Sequence, residues 1–275
     1  MSFQTKIEQL DSALAEEFES IGAEVRRRVA DLDGLQALAT RSDGDTTHSF
    51  DRFAEDRILR ILSHAGLDMV VSSEESSEEV IGSQRDYIAI VDPIDKSDMV
   101  ARGYPYGSIA ATFVDINRNY PVFSRIYEIF TGVQYSAMNG VAKRNNTPIH
   151  PSRVERLEDA FVVSYSATYE RRMYSDAERL PKAPARLFLN NSSSLDIAKV
   201  GAGQCDGVVE ILKGYYPRDF LPGFHIATCA GAVSCGLDGK PIRIQTYRNA
   251  RTFFLVAATT SLLQEMLQAY SRGLS

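Results

Sequence analysis

Apolar residues at Ile7, Leu10, Leu14, Phe18, Ile21 and Val25 recur at steps of three and four. That spacing predicts an amphipathic helix with one buried stripe. Gly34 and the polar stretch Arg41-Ser-Asp-Gly-Asp45 interrupt the pattern. A second helix is predicted from about Ser49, with Phe53, Ile58, Leu59 and Leu62 facing the core and an end near Gly66.

Beyond Gly66 the pattern shortens. Met69–Val71, Tyr87–Val91, Ser108–Val114, Val122–Ile126 and Val133–Ala137 are β-rich runs separated by turn formers. Asn145-Asn-Thr-Pro148 to Pro151 gathers turn residues and predicts a strand-poor junction. Downstream, the pattern predicts a strand at Phe161–Val163, a polar helix around Tyr169–Leu180 and a short strand at Leu187–Phe188. A helix from Ser193 to about Ala202 and a strand at Gly207–Ile211 follow. The last part is a helix near Ala227, strands near Ile242 and at Phe253–Ala257, and a closing helix, Leu262–Tyr270. Helices and strands interleave, with neighbouring strands close enough for antiparallel pairing, so the fold class is α+β in layers rather than a doubly wound parallel sheet. The expected division is 1–147 and 148–275, two halves of one compact unit.

Composition narrows the function more than the fold. The chain has 275 residues and a net charge of −6. An acidic surface without Lys/Arg runs argues against a nucleic-acid partner; Arg26-Arg27-Arg28 reads as the solvated face of the first helix. Three cysteines without paired spacing, Cys205, Cys229 and Cys235, suggest reduced thiols. No apolar run approaches the roughly 18–20 residues of a membrane helix, and the acidic, amphipathic start lacks a signal-peptide pattern. A cytoplasmic protein with no membrane partner is expected.

The chemistry gathers in two short stretches. Asp92-Pro-Ile-Asp95-Lys-Ser-Asp98 follows the apolar strand Tyr87–Val91, and Pro93 is expected to end that strand because it cannot donate to a ladder. Asp92 and Asp95 then lie three apart where both carboxylates can point at one ion. Ser72-Ser-Glu74-Glu75-Ser-Ser follows another β-like run and offers a carboxylate at a second strand end. Hard cations such as Mg²⁺ take oxygen ligands of this kind and keep positions open for phosphate oxygens.

Asp92-Pro-Ile-Asp95 resembles the DPIDGT signature of the inositol monophosphatase / fructose-1,6-bisphosphatase superfamily, and Ser73-Glu74-Glu75-Ser76 its GEES. Thr47-His-Ser-Phe-Asp51 with Ala54-Glu-Asp56 resembles its T-x-x-D segment, Cys205-Asp-Gly-Val-Val-Glu210 its A-D-A-x-x-E element, and Phe224-His-Ile-Ala-Thr-Cys-Ala-Gly231 its W-D-x-A-A-G helix. The matches run in the family's order from about residue 45 to 240. The resemblance implies an α-β-α-β-α sandwich. It further implies that Glu74, Asp92, the Ile94 carbonyl and Asp95 hold Mg²⁺, with Mn²⁺ as the alternative ion. Asp51 and Ser97 would activate the attacking water, the amides after Asp95 would cradle phosphate, and Glu210 would contact the sugar. The implied partner is a small phosphorylated molecule, and the family's habit implies a homodimer.

Three departures touch this chemistry. Lys96 replaces the glycine of DPIDGT and brings a cation toward the phosphate. His225 stands where W-D-x-A-A-G has its Asp; it could ligate a metal or act as acid or base near neutral pH. Lys213–Gly223 is expected to be a longer segment than its counterpart: Asp219 could replace the lost carboxylate, and Arg218 with Tyr215 or Tyr216 could face an anionic or ring-bearing substrate. Asn190-Asn-Ser-Ser-Ser194, Asn191 in particular, could meet sugar hydroxyls. Three readings stay open: a metal-dependent phosphatase acting on a sugar, polyol or nucleotide monoester; a lyase or cyclising enzyme using Lys96 and His225; and a non-catalytic binder of phosphorylated ligands.

Overall fold

The computed structural model describes residues 2–31, 37–40, 46–74, 79–83, 85–169, 172–175, 184, 186–189, 192–242 and 250–272. Two compact units divide the chain, Met1–Asn139 and Gly140–Ser275.

The first unit opens with α1 (Phe3–Ala30), whose predicted stripe from Ile7 to Val25 is buried. Ser2 caps its start, Oγ accepting the Thr5 N–H at 3.1 Å. A hairpin of β1 (Ala37–Thr40) and β2 (Thr46–His48) runs straight into α2 (Ser49–Ser63). There follow β3 (Met69–Ser73), β4 (Glu79–Ile81), β5 (Tyr87–Asp95), α3 (Ser97–Ala101), β6 (Ser108–Asp115), β7 (Tyr120–Glu128) and β8 (Gln134–Met138). The strands join in the order β8-β7-β6-β5-β3-β4. Every neighbouring pair is antiparallel except β3 and β5, which run parallel.

The stripes of α1 and α2 bury against this sheet, Phe18, Ile21, Phe50 and Ile58 joining Val71, Val91 and Phe113 in one core. Each such side chain contributes roughly 1.5–3 kcal/mol relative to exposure. Two devices hold α1 at its distance from β7. A Cβ on Gly22 would meet Tyr127 Cε1 at 2.2 Å, so only glycine permits the approach. Arg125 donates twice to the Asp11 carboxylate, each bond 2.8 Å.

In the second unit, β9 (Val141–Arg144) and β10 (Thr147–Pro148) form a hairpin. Its tip is Asn145-Asn146, with φ of 47° and 65°. Two consecutive left-handed residues suit a two-residue hairpin loop, and Asn tolerates them better than most residues. The predicted junction therefore begins as a hairpin tip. β11 (Phe161–Ser164), the paired β12 (Ser166–Tyr169) and β13 (Arg172–Ser175), β14 (Arg186–Leu189), α4 (Ser193–Gly201), β15 (Gly207–Tyr215), α5 (Pro217–Ala230), β16 (Val233–Cys235), β17 (Thr252–Ala257) and α6 (Thr260–Arg272) complete it. Its sheet runs β14-β11-β15-β17-β16, with β11 parallel to both β14 and β15 and β17 antiparallel to β15 and β16. α4 and α5 cross closely: a Cβ on Gly223 would stand 2.0 Å from the Ser194 carbonyl oxygen.

Several expectations need correction. The polar helix around Tyr169–Leu180 is in its described part an antiparallel pair, Tyr169 opposite Arg172; local polarity misled where strand pairing decided. Residues 176–183 lie outside the described residues. Pro93 does not end β5, which continues to Asp95 through an irregularity of register between Asp92 and Asp95. A bulge is where a sheet tolerates a residue with no N–H. Lys213–Gly223 spans the end of β15, which reaches Tyr215, and the start of α5 at Pro217. Proline at the first helical position loses no hydrogen bond there. The strand expected near Ile242 falls largely on residues 243–249, which lie outside the described residues; among the described residues Val233–Cys235 pairs with β17.

Candidate active site

In the first unit the parallel pairing of β3 and β5 builds the acidic end. Ser73 is opposite Val91 at the last paired position. Glu74 follows directly on β3 and Asp92 is the next residue of β5, so each comes one step after this pair, although Asp92 stays in the sheet opposite Ala110. Three residues on, Asp95 pairs with Ser108. Asp92 and Asp95 are 2 % and 8 % exposed, and Ile94 between them is buried. Gly107 permits the close passage of this loop, since a Cβ there would lie 3.0 Å from the Asp95 carbonyl oxygen.

Asp51 sits in the first turn of α2, 2 % exposed. Its Oδ2 accepts the His48 N–H at 2.6 Å. The His48 ring is buried, and its Nε2 lies 2.7 Å from Asp98 Oδ1 in the first turn of α3. One residue thus connects the two acidic segments.

Lys96 precedes α3 in the left-handed region, with φ 65° and ψ 42°. For a residue with a Cβ that conformation costs about 1–2 kcal/mol. The first helical bonds run from the Met99 and Val100 N–H groups to the Lys96 carbonyl, both at 2.9 Å. The amides of Ser97 and Asp98 are therefore not used inside the helix.

Among the described residues no three His, Cys, Asp or Glu side chains stand as a ready-made metal cluster. The donor set nevertheless fits Mg²⁺, which is usually held by one or two carboxylates together with water and substrate phosphate rather than by a full protein cage.

The second unit carries Glu210, Arg218, Asp219 and His225. Glu210 Oε1, buried on β15, accepts three backbone N–H groups, from Leu212 at 3.0 Å and from Lys213 and Gly214 at 2.8 Å. Burial nonetheless pushes its carboxyl above the usual range, against the pull of those three donors. Asp219 Oδ2 accepts the Tyr216 N–H at 2.9 Å and so caps α5. Swinging it away to replace another carboxylate would give up a cap worth about 1 kcal/mol. The Arg218 guanidinium lies 4.8 Å from the centre of the Tyr216 ring. Arg251, which the sequence did not single out, stacks on the same ring at 4.8 Å.

His225 lies on α5, 3 % exposed. Burial lowers its pKa to about 4. That shift favours the neutral imidazole at pH 7. Neutral imidazole is the ligating form, so the metal-ligand reading survives. Asn191 lies outside the described residues.

His48 and Asp98 were also missed. The T-x-x-D likeness drew attention to Thr47, but the residue three before Asp51, at the helix N-cap, is His48; counting back from the acid would have found it.

Carboxylates at neighbouring strand positions beside the start of a short helix are the features this site offers. The chain belongs to the inositol monophosphatase family, whose model matches residues 6–273, a family of metal-dependent sugar phosphatases. It is 28 % identical over 235 residues to the fructose-1,6-bisphosphatase of Pyrococcus furiosus, covering 86 % of this chain and 87 % of that protein. It is 27 % identical over 254 residues to the fructose-1,6-bisphosphatase/inositol-1-monophosphatase of Archaeoglobus fulgidus, covering 90 % and 94 %. The solved structure of the extragenic suppressor protein suhB from Bartonella henselae shares the fold, with a TM-score of 0.82 at 21 % identity over 96 % of this chain and 99 % of that one. Within the described residues no helix is long and apolar enough to cross a membrane.

Proposed function

We propose that this chain hydrolyses a phosphate monoester of a sugar, polyol or nucleotide, using Mg²⁺ or Mn²⁺ held by Glu74, Asp92, the Ile94 carbonyl and Asp95. The observation that supports this reading is the parallel β3–β5 register, in which Ser73 and Val91, the residues just before Glu74 and Asp92, are paired. When bound, the divalent ion supplies charge neutralisation for the phosphoryl oxygens and lowers the pKa of water.

The protein's own part follows from the residues. Asp51 takes the proton of the attacking water, and Ser97 orients that water by a hydrogen bond. Lys96 offers an ammonium to the phosphoryl oxygens, where its added charge lessens the demand on metal. Its strained backbone, tolerated where glycine would be at ease, fits a residue kept for its side chain. Glu210, Arg218 and Asn191 are the proposed contacts to the organic part of the substrate. A cytoplasmic homodimer is the proposed setting.

Release of inorganic phosphate from a panel of sugar phosphates, polyol phosphates and nucleotides tests the proposal, with Mg²⁺, Mn²⁺ and EDTA as separate arms. Turnover with metal that EDTA stops is expected. Product formed without phosphate release, and indifferent to EDTA, would favour the lyase or cyclising alternative. Ligand binding with no product would favour a non-catalytic role.

A further inference from the structure

The α3 helix has five residues and starts from a left-handed Lys96. A helix that short is not stable on its own, so whatever fixes the Ser97–Asp98 turn must come from outside it. His48 provides such a tie. It is 5 % exposed, and its ring stacks on Phe50 at 5.3 Å with an interplanar angle of 10°. From that fixed position Nε2 meets Asp98 Oδ1 at 2.7 Å, while the backbone N–H of the same residue meets Asp51 Oδ2 at 2.6 Å. The Asp98 bond thus ties the buried ring to the first turn of α3.

Asp98 is 51 % exposed along its side chain, and a half-exposed pair adds little to stability by itself. Its value lies in geometry. His48 touches the first turn of α2, which carries the proposed water-activating Asp51, and the first turn of α3, which carries the proposed water-orienting Ser97. We propose that His48, through Asp98, is a positioning residue that clamps these two turns together and so holds Asp51 and Ser97 in register for attack on phosphorus. The inference rests on the hydrolytic reading above.

A double-mutant cycle on the full chain tests it. His48→Ala and Asp98→Ala should each lower kcat by roughly 10–100-fold, the scale on which misplacement of a catalytic group acts. KM and the Mg²⁺ concentration for half-maximal rate should stay within about twofold, since no ligand contact is removed. The double variant should be no slower than the worse single one, because both changes break one linkage. His48→Gln, whose amide can still donate toward Asp98, should recover most of kcat; this separates a lost clamp from a damaged fold. Multiplicative losses, a change confined to KM, or equal failure of the Gln and Ala variants would overturn the clamp while leaving hydrolysis standing. A wild-type chain that releases no phosphate from any substrate with metal present would overturn both.

Discussion

Glu74 and Asp92 occupy equivalent places on two parallel neighbours, one residue past the Ser73–Val91 pair that closes the β3–β5 ladder. Parallel pairing is what makes this useful. Both strands run the same way, so residues 18 apart in the chain come to matching positions one step past the last β3–β5 pair. The surrounding antiparallel strands could not bring two chain exits together in that manner.

The role assigned to Asp51 is tested by Asp51→Asn. The amide keeps an oxygen to accept the His48 N–H, so the start of α2 should survive. It cannot take a proton from water. kcat should fall about 10²–10⁴-fold, with the thermal midpoint changed by no more than a few degrees. Stopped-assay phosphate release alongside thermal unfolding would check both.

Lys96→Gly separates backbone from charge. Glycine relieves the left-handed strain of about 1–2 kcal/mol but frees the unfolded chain by about 0.4–1 kcal/mol. Stability should therefore stay within about 1 kcal/mol of wild type in denaturant titration. KM for the phosphorylated substrate should rise about tenfold, equivalent to roughly 1.4 kcal/mol. An unchanged KM would place the ammonium outside the reaction.

His225 predicts an acid-sensitive stability. Its pKa is about 4 in the folded chain because of burial, against an ordinary value near 6.5 when unfolded. Between those values the unfolded chain binds the extra proton, so stability is fully present above about pH 6.5 and drains away as pH falls toward 4. The loss amounts to about 3 kcal/mol at most. Urea titrations of wild type and His225→Gln at pH 4.5 and 7 should show a smaller pH dependence in the variant. Equal pH dependence would mean that His225 does not titrate in this way. Glu210 is shifted upward, so its own contribution has the opposite sign and cannot imitate this effect.

Gly223→Ala should destabilise by about 1–3 kcal/mol. The added methyl would stand 2.0 Å from the Ser194 carbonyl oxygen, and a backbone atom has no rotamer by which to escape. Chemical denaturation measures the shift, and a neutral result would contradict the close crossing of α4 and α5.

What was legible in the sequence divides along physical lines. The stripe of α1 and the closing helix were readable because each buries one face at the helical period, and the strands around Tyr87 and Ser108 because they are near-continuous β-rich runs, buried on both faces. The acidic segments were readable because each is a short local run, Asp92-Pro-Ile-Asp95 and Ser73-Glu74-Glu75-Ser76. The hairpin at Ser166–Ser175 was not, since strand pairing there overrides a polar, helix-like composition. Nor could the sequence reveal the bond between His48 and Asp98, 50 residues apart. The burial that makes His225 neutral was hidden for the same reason: it depends on what packs around α5, not on its neighbours in the chain.

The central claim, that Glu74 and Asp92 share one cation, is tested most directly by calorimetric Mg²⁺ titration of wild type, Glu74→Gln, Asp92→Asn and the double variant. Each single change should weaken binding at least tenfold, and the double change should cost far less than the product of the two. Full-strength Mg²⁺ binding by either single variant, or independent losses that simply multiply, would contradict that claim.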